Sequence, residues 1–172
     1  MKYNRSIYKQ IQQWLFKEKI IVIYGARQVG KTTLSKHLID EYNGLYLNCE
    51  RPVVQHLLEQ KNIDLLRAEL GSKTLVVFDE AQKVKGIGEI LKYFIDEHPE
   101  VQYIATGSSS FDLANETAEP LTGRKITFDL YPLSINEQEF SPLALTERLP
   151  TMLIYGAYPA IASELSAERK QV

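Results

Sequence analysis

The stretch that decides the fold reads IIVIYGARQVGKTTL and spans residues 20–34. It begins with Ile20–Tyr24, a run of β-branched and aromatic residues that is typical of a strand buried on both faces. Two glycines follow, and apolar residues then recur at helical spacing from Thr32 to Tyr42. The segment therefore predicts a strand, a glycine-containing loop and a helix in immediate succession.

The loop between this strand and this helix matches G-x-x-x-x-G-K-[ST], the Walker A pattern, at every fixed position. In that pattern the lysine reaches the β- and γ-phosphates, the hydroxyl binds Mg²⁺, and backbone N–H groups at the helix start bind phosphate. We therefore predict a catalytic role for Lys31 and a metal-ligand role for Thr32. Arg27 occupies a free position of the pattern, so a solvated side chain is the alternative there. The predicted nucleotide-binding residues of the loop are Gly25, Ala26, Arg27, Gln28, Val29, Gly30, Lys31, Thr32 and Thr33.

Outside this segment, short apolar runs alternate with stretches of helical spacing. Further strands are predicted at 45–48, 75–78, 101–105 and 126–130, and helices at 4–17, 32–42, 52–70 with a break near Asn62, and 87–95. Alternation of this kind is typical of βαβ units and a mostly parallel sheet with helices on both faces. We therefore expect an α/β fold, a three-layer α/β/α sandwich around five strands.

Polar residues follow two of these strands where each strand ends. Asp79 and Glu80 close the third strand in a Walker B pattern, so we predict Asp79 as a metal ligand and Glu80 as the catalytic base. Thr106 or Ser108, after the fourth strand, is predicted to contact the γ-phosphate or the attacking water, and a flexible Gly/Ser turn is the alternative. Because ligands bind at the carboxyl ends of parallel strands, these residues should converge on the loop at Gly25.

Two further features lie downstream of the fourth predicted strand. Arg124 lies at a predicted turn, where it could stabilise transition-state charge in cis or from a neighbouring subunit, or could be a surface arginine. The sequence from Ser134 to Glu137 fits a capping box that opens a helix.

Composition places the chain among ordinary globular domains. It has 172 residues, 44% of them hydrophobic and 24% charged, with a formal net charge of −2, so one domain with a real core is expected. The chain has no excess of basic residues that would indicate a nucleic-acid partner, although this does not exclude local basic patches. The lone Cys49 excludes an internal disulfide and favours a cytoplasmic location, and no segment predicts a membrane span.

Together the motifs resemble a known family. The matching segments include the loop through Leu34, Phe78–Lys83, Thr106–Ser109, Leu121–Arg124, Tyr131–Ser134 and Gly156–Pro159. The chain resembles the bacterial and archaeal AAA-like ATPases that carry a C-terminal domain of unknown function, which are related to the archaeal ATPase and STAND groups.

The resemblance implies strand order 5-1-4-3-2, an additional strand beside the one that carries Glu80, and a longer protein with a C-terminal domain as partner. We expect an N-terminal helix over 1–19 packing on an ATPase core over 20–142, with 143–172 beginning a C-terminal helical region. By analogy with the STAND group, Gly156–Pro159 is expected to approach adenine, and a helix-terminating turn is the alternative.

The predicted function is Mg²⁺-dependent binding and hydrolysis of ATP, coupled to a partner or to the C-terminal domain, with self-association open. The absence of an N-K-x-D segment from the sequence favours ATP over GTP. A helicase-like module is an alternative, because residues 79–82 read DEAQ, but that class needs a second motor domain. The motifs are also compatible with a small-molecule kinase and with a non-hydrolysing nucleotide switch.

Overall fold

The computed structural model describes residues 3–108, 110–138 and 141–163. Within these residues five strands alternate with eight α-helices. The strands are β1 (Ile20–Tyr24), β2 (Leu45–Asn48), β3 (Leu75–Asp79), β4 (Gln102–Gly107) and β5 (Lys125–Asp129). The helices are α1 (Ser6–Trp14), α2 (Lys31–Tyr42), α3 (Pro52–Glu59), α4 (Ile63–Leu70), α5 (Ile87–Glu97), α6 (Ser110–Ala118), α7 (Pro142–Tyr155) and α8 (Pro159–Ser163). None of these helices is long and apolar enough to cross a membrane.

The sheet is fully parallel across its five strands and has the order β2-β3-β4-β1-β5. Read from the other edge this is 5-1-4-3-2, so the predicted order is confirmed. β4 lies between β1, which leads into the glycine loop, and β3, which ends at Asp79. All five strands therefore direct their carboxyl ends to one edge, where the predicted site residues other than Arg124 lie.

Two apolar clusters cover the two faces of the sheet. Alternate residues of β1 face opposite sides, with Ile21 and Ile23 in one cluster and Ile20 and Val22 in the other. Helices α1 and α2 pack on the first face, where Ile11 of α1 is fully buried. Helices α3, α4, α5 and α6 contribute buried residues to the second cluster. This layering is the predicted sandwich, and burial on both faces explains the continuous apolar runs of β1 and of β3 before Asp79.

The structure differs from the predicted elements mainly at the ends of helices and in the region of α6. Helix α1 covers only Ser6–Trp14, because Phe16 and Glu18 have positive φ angles of 57° and 54° that a helix does not allow. Helix α6 was not predicted at all. The stretch 52–70 divides as expected, since the Asn62 side chain accepts hydrogen bonds from backbone N–H groups at the start of α4.

The capping box at Ser134 forms, although it opens only a single 3₁₀ turn, Asn136–Gln138. The Ser134 N–H donates to Glu137 Oε2 at 3.0 Å, and the Glu137 N–H donates to Ser134 Oγ at 3.3 Å. The pattern therefore predicted the local hydrogen bonds correctly and the following helix at the wrong place. The next described helix, α7, begins after residue 141 and has its own cap, the Ser141 side chain.

Candidate functional site

The glycine loop connects the buried strand β1 to the first turn of α2, as the sequence predicts. Gly30 has φ 104°, a left-handed conformation that favours glycine at the start of the helix. Gly25 lies so close to the segment that follows β5 that a Cβ would be 2.5 Å from the carbonyl oxygen of Leu130. The Val29 side chain is fully buried, so only its backbone is available to a ligand. The sequence therefore folds into a loop whose helix-start N–H groups offer an anion site.

Lys31, the first residue of α2, has its side chain turned back over the loop. Its Nζ donates to the carbonyl oxygens of Gly25 at 2.8 Å and Ala26 at 3.0 Å. Burial lowers the pKa of the Lys31 ammonium; Arg27 adds to this, whereas Glu80 and Asp79 oppose it. The Nζ is also 3.8 Å from Glu80 Oε1. The lysine thus lies between the loop and the carboxylates of β3, where a phosphate would meet it.

Asp79, at the end of β3, is the centre of a hydrogen-bonded group. Thr32 Oγ1 donates to its Oδ2 at 2.9 Å, and the phenol of Tyr46 donates to the same oxygen. Thr106 Oγ1 donates to the other oxygen, Oδ1. Burial together with the hydrogen bond to Asp79 raises the pKa of Tyr46, so the phenol stays protonated and keeps donating. Three neighbouring elements therefore fix the orientation of one carboxylate.

The donor set fits a magnesium ion. Mg²⁺ is usually held by one or two carboxylates and by substrate phosphates, and it retains several waters. Thr32 and Asp79 bring a hydroxyl and a carboxylate oxygen within 2.9 Å of each other at the edge of the phosphate loop. The part of the chain that the structure describes has no group of three His, Cys, Asp or Glu side chains placed to hold a metal. A metal bound here would therefore depend on the nucleotide for its remaining ligands.

Glu80 follows Asp79 in a left-handed conformation with φ 53°. Ser108 Oγ donates to its Oε2 at 2.7 Å, and Gln82 Nε2 donates to the same oxygen at 2.6 Å. The predicted catalytic carboxylate is thus held by side chains that follow β3 and β4. Thr106, by contrast, is fully buried behind Asp79. Contact of Ser108 or Thr106 with a nucleotide stays a prediction.

These residues surround a cleft of about 580 Å³ at the carboxyl edge of the sheet. Its lining residues are Arg27, Gln28, Gly30, Lys31, Thr32, Thr33, Tyr46, Asn48, Glu50, Asp79, Glu80 and Pro159. Arg27 and Gln28 belong to this lining, and both are exposed, so solvation stays an alternative for Arg27. The cleft is large enough for the polyphosphate part of a nucleotide.

A second, mainly apolar cavity of about 250 Å³ adjoins the cleft. The two share Gly30, Thr33 and Pro159 in their linings. The other lining residues of the cavity are Tyr3, Arg5, Leu133, Ala160 and Ser163. Gly156 has φ 79° and ends α7 before α8 begins at Pro159, so the turn that was the alternative interpretation of this segment is present. Pro159 alone of the predicted Gly156–Pro159 segment lines the cavity.

Arg5 ties three segments together behind the glycine loop. Its Nη1 donates to the carbonyl oxygen of Val29 at 2.8 Å, its Nη2 donates to that of Tyr131, and its Nε is 3.3 Å from Glu137 Oε1. Glu137 also accepts hydrogen bonds from the backbone N–H and hydroxyl of Ser6, at 2.8 and 2.9 Å. Both charged side chains are only 6% exposed. We call this pair the Arg5–Glu137 bridge.

Arg124 lies away from the cleft. It precedes β5, and its carbonyl oxygen accepts from the Ile20 N–H, at the end of β1 opposite to the glycine loop. Its guanidinium pairs with Asp96 on the surface at 2.7 Å, which raises its pKa further. This placement gives no support for action in cis and fits the alternative interpretation of a surface arginine. A role at a neighbouring subunit stays a prediction.

Sequence reasoning did not single out Tyr46, Asn48 and Glu50 of the cleft lining, Gln82 beside Glu80, or Arg5 and the bridging role of Glu137. The contact of Tyr46 depends on strand register, and that of Gln82 depends on the left-handed conformation of Glu80. Tyr46 on β2 lies opposite Val77 of β3, which brings its phenol to Asp79. The sequence signal that could have identified Tyr46 is an aromatic residue with a polar group near the end of a predicted strand.

A family profile described as an AAA domain matches residues 17–139. The chain belongs to this AAA domain family. The match covers the glycine loop, both carboxylates after β3 and the Ser108 segment after β4. It supports a nucleotide-binding ATPase domain in general terms.

Two relatives of the AAA domain are themselves described as uncharacterized. One, from Methanocaldococcus jannaschii, is 32% identical over 141 residues, which cover 77% of this chain and 31% of the relative. The other, from Mycobacterium tuberculosis, is 27% identical over 135 residues, covering 78% of this chain and 30% of the relative. This chain therefore spans less than a third of the length of these curated relatives.

Solved structures agree on the fold of the AAA domain. A Walker-type ATPase of Pyrococcus abyssi superposes with a TM-score of 0.64 at 16% identity, covering 92% of this chain and 65% of that one. A chain from the structure of Drosophila ORC bound to DNA gives a TM-score of 0.52 at 14% identity, covering 79% and 95%. At these identities the likeness shows the P-loop NTPase fold.

Proposed function

We propose that this AAA domain binds Mg-ATP and hydrolyses it, and that it couples the nucleotide state to a partner or to a further domain. One observation carries the proposal: Lys31, Thr32, Asp79 and Glu80 line a single cleft, although they come from two strand ends far apart in sequence. Phosphate binding needs only the loop and its lysine. Hydrolysis needs in addition a pair of metal ligands, here Thr32 and Asp79, and a second carboxylate beside them, here Glu80.

Each residue has a distinct task in this proposal. The N–H groups of Gly30 and the residues beside it, with the Lys31 ammonium, bind the β- and γ-phosphates. Thr32 and Asp79 would hold Mg²⁺, which would supply positive charge to offset the charge of the phosphates. Glu80 accepts a proton from the attacking water. The buried setting strengthens these charge interactions because little water screens them.

The apolar cavity next to the cleft is the proposed position of the base. It shares Gly30 and Thr33 with the phosphate cleft, so a nucleotide with its phosphates on the loop reaches it directly. Pro159 lines both spaces, which supports the expected approach of its segment to adenine. Apolar walls suit a purine ring, and ATP rather than GTP is proposed because no N-K-x-D segment occurs in the sequence.

The proposal is tested by comparing Lys31→Ala, Glu80→Gln and the wild type for binding of a fluorescent ATP analogue and for phosphate release. We expect Lys31→Ala to lose binding, and Glu80→Gln to bind Mg-ATP but release phosphate at least about 100-fold more slowly, since a positioned base contributes that much or more. Lys36→Ala is the matched control, because Lys36 lies on the same helix with an exposed side chain. Unchanged Mg-ATP affinity in Lys31→Ala would refute the proposal.

The same assays separate the competing functions. A Glu80→Gln variant indistinguishable from the wild type, both binding without turnover, would indicate a nucleotide switch. Turnover stimulated by DNA would revive the helicase-like alternative, and transfer of phosphate to a metabolite would indicate a kinase. A steep rise of specific activity with protein concentration, lost in Arg124→Ala, would support self-association with Arg124 acting in trans.

A further inference from the structure

The carboxylate of Glu80 is held asymmetrically. Its Oε2 accepts three hydrogen bonds, from Gln82 Nε2 at 2.6 Å, Ser108 Oγ at 2.7 Å and the Ser108 N–H at 3.3 Å. Its Oε1 lies on the other side, 3.8 Å from Lys31 Nζ. Because Glu80 lines the phosphate cleft, Oε1 is the oxygen left to meet a water beside the phosphates.

The Gln82 amide reaches this position only because of its local structure. Gln82 lies in the 3₁₀ turn Ala81–Lys83, directly after the left-handed Glu80, so that its side chain points back to the carboxylate two residues before it. A left-handed conformation costs a non-glycine residue of order 1–3 kcal/mol, and such conformations cluster at functional sites. The left-handed conformation of Glu80 therefore costs free energy, and it brings the Gln82 amide into contact with the Glu80 carboxylate.

Gly107 makes room for the same amide. A Cβ at Gly107 would lie 2.6 Å from Gln82 Oε1 and 2.8 Å from Leu113 Cδ2. The Gln82 Oε1 is buried and accepts no hydrogen bond within the part of the chain that the structure describes. Leaving a buried acceptor unpaired is unfavourable, by about 1–3 kcal/mol. Stability alone does not account for a glutamine here, whereas the contact of its Nε2 with Glu80 does.

We propose that Gln82, seated against Gly107, is a positioning residue that fixes the Glu80 carboxylate with Oε2 held and Oε1 directed at the attacking water. Ser108 also donates hydrogen bonds to Oε2, so it helps to hold the same carboxylate oxygen. The inference rests on the proposed ATP hydrolysis. In that step the water oxygen forms a bond to the γ-phosphorus, the bond from that phosphorus to the β,γ-bridging oxygen breaks with ADP as leaving group, and Glu80 Oε1 takes the water proton.

The test compares Gln82→Leu and Gln82→Asn with the wild type for phosphate release and for binding of a non-hydrolysable ATP analogue. Leucine removes the donor, and asparagine keeps the amide but ends one methylene short of Glu80. We expect kcat to fall about 100-fold in both, as for a misplacement of about 1 Å, while affinity for the analogue changes less than about twofold. Lys83→Leu is the matched control, because Lys83 is exposed on the same turn, and its kcat should stay at the wild-type value.

A double-mutant cycle with Glu80→Gln distinguishes positioning from a general structural effect. If Gln82 acts through Glu80, adding Gln82→Leu to Glu80→Gln produces no further loss of turnover. Wild-type kcat in both Gln82 variants, or an equal loss with and without Glu80, would overturn the inference and leave the proposed ATPase intact. Wild-type turnover in Glu80→Gln would instead overturn the proposed role of Glu80. Thermal melting identifies a variant that fails to fold, in which case the more conservative Gln82→Asn decides.

Discussion

Replacing Glu137 by glutamine is expected to destabilise the domain strongly, although the substitution preserves size and shape. The change leaves the Arg5 guanidinium buried, 6% exposed, without its opposite charge. Breaking a buried ion pair by removing one partner typically costs about 3–5 kcal/mol. For a chain of 172 residues each kcal/mol lowers Tm by about 2–4 °C, so Glu137→Gln should lower Tm by about 6–20 °C at pH 7.5.

The difference between wild type and Glu137→Gln should also depend on pH. Burial by itself raises the pKa of Glu137, but hydrogen bonds from Ser134 and Ser6, together with Arg5, outweigh it and hold the pKa below the ordinary value of 4.5. A carboxylate with a depressed folded-state pKa contributes stability above its unfolded-state value, and that contribution disappears as pH falls through the folded-state pKa. The Tm difference should therefore be complete above about pH 5 and shrink at lower pH.

The assay is thermal unfolding of both proteins from pH 7.5 downwards, with Asp96→Asn as the control. Asp96 pairs with Arg124 on the surface, where the two side chains are 44% and 40% exposed, and such exposed pairs contribute little to stability. Asp96→Asn should therefore lower Tm by less than about 4 °C. The reasoning about the Arg5–Glu137 bridge would be refuted if Glu137→Gln lowered Tm no more than Asp96→Asn, or if its effect were the same at every pH.

Two further substitutions test the packing and capping of the helices around the site. Gly88→Ala should destabilise the domain by at least about 1–3 kcal/mol in urea unfolding, because the new Cβ would lie 1.9 Å from the carbonyl oxygen of Glu116 and force α5 away from α6; an unchanged midpoint would contradict this close packing. Asn62→Ala should cost about 1 kcal/mol, because Asn62 Oδ1 accepts from the N–H groups of Asp64 and Leu65 at 3.0 and 3.2 Å, whereas Asn62→Asp should retain most of that stability. Equal losses in the two Asn62 variants would contradict the capping role.

The sheet was predictable because its central strands have a simple composition. Strands buried on both faces read as continuous apolar runs, and Ile20–Tyr24 and Leu75–Asp79 both do until the final aspartate. Helix α6 was not predictable in the same way. It begins in a run of serines after Gly107, a composition that favours turns, and Leu113 supplies little apolar periodicity on its own. Its packing on α5 and β4, a tertiary effect, accounts for the helix.

The site was predictable where chemistry is written in a contiguous motif. Lys31, Thr32, Asp79 and Glu80 fall in such motifs, and the structure brings them together. Glu137 shows the limit, because the capping box predicted its contact with Ser134 but not its pairing with a residue 132 positions earlier in the chain. Contacts of this kind depend on the complete fold and leave no local pattern in the sequence.

The sheet order also has a consequence for how the chain folds as it is synthesised. β1 is the first strand to be made, yet its two neighbours, β4 and β5, are the last, since Ile21 pairs with Ile104 and Ile126. Since β1 ends at Tyr24 and β4 begins at Gln102, a ribosome must add the 77 residues between them before β1 gains a native strand neighbour. Long-range parallel pairing of this kind is slow, and during that delay an uncharged five-residue apolar segment stays open to wrong partners. The strand that leads into the glycine loop is thus the one that waits longest for a native strand partner.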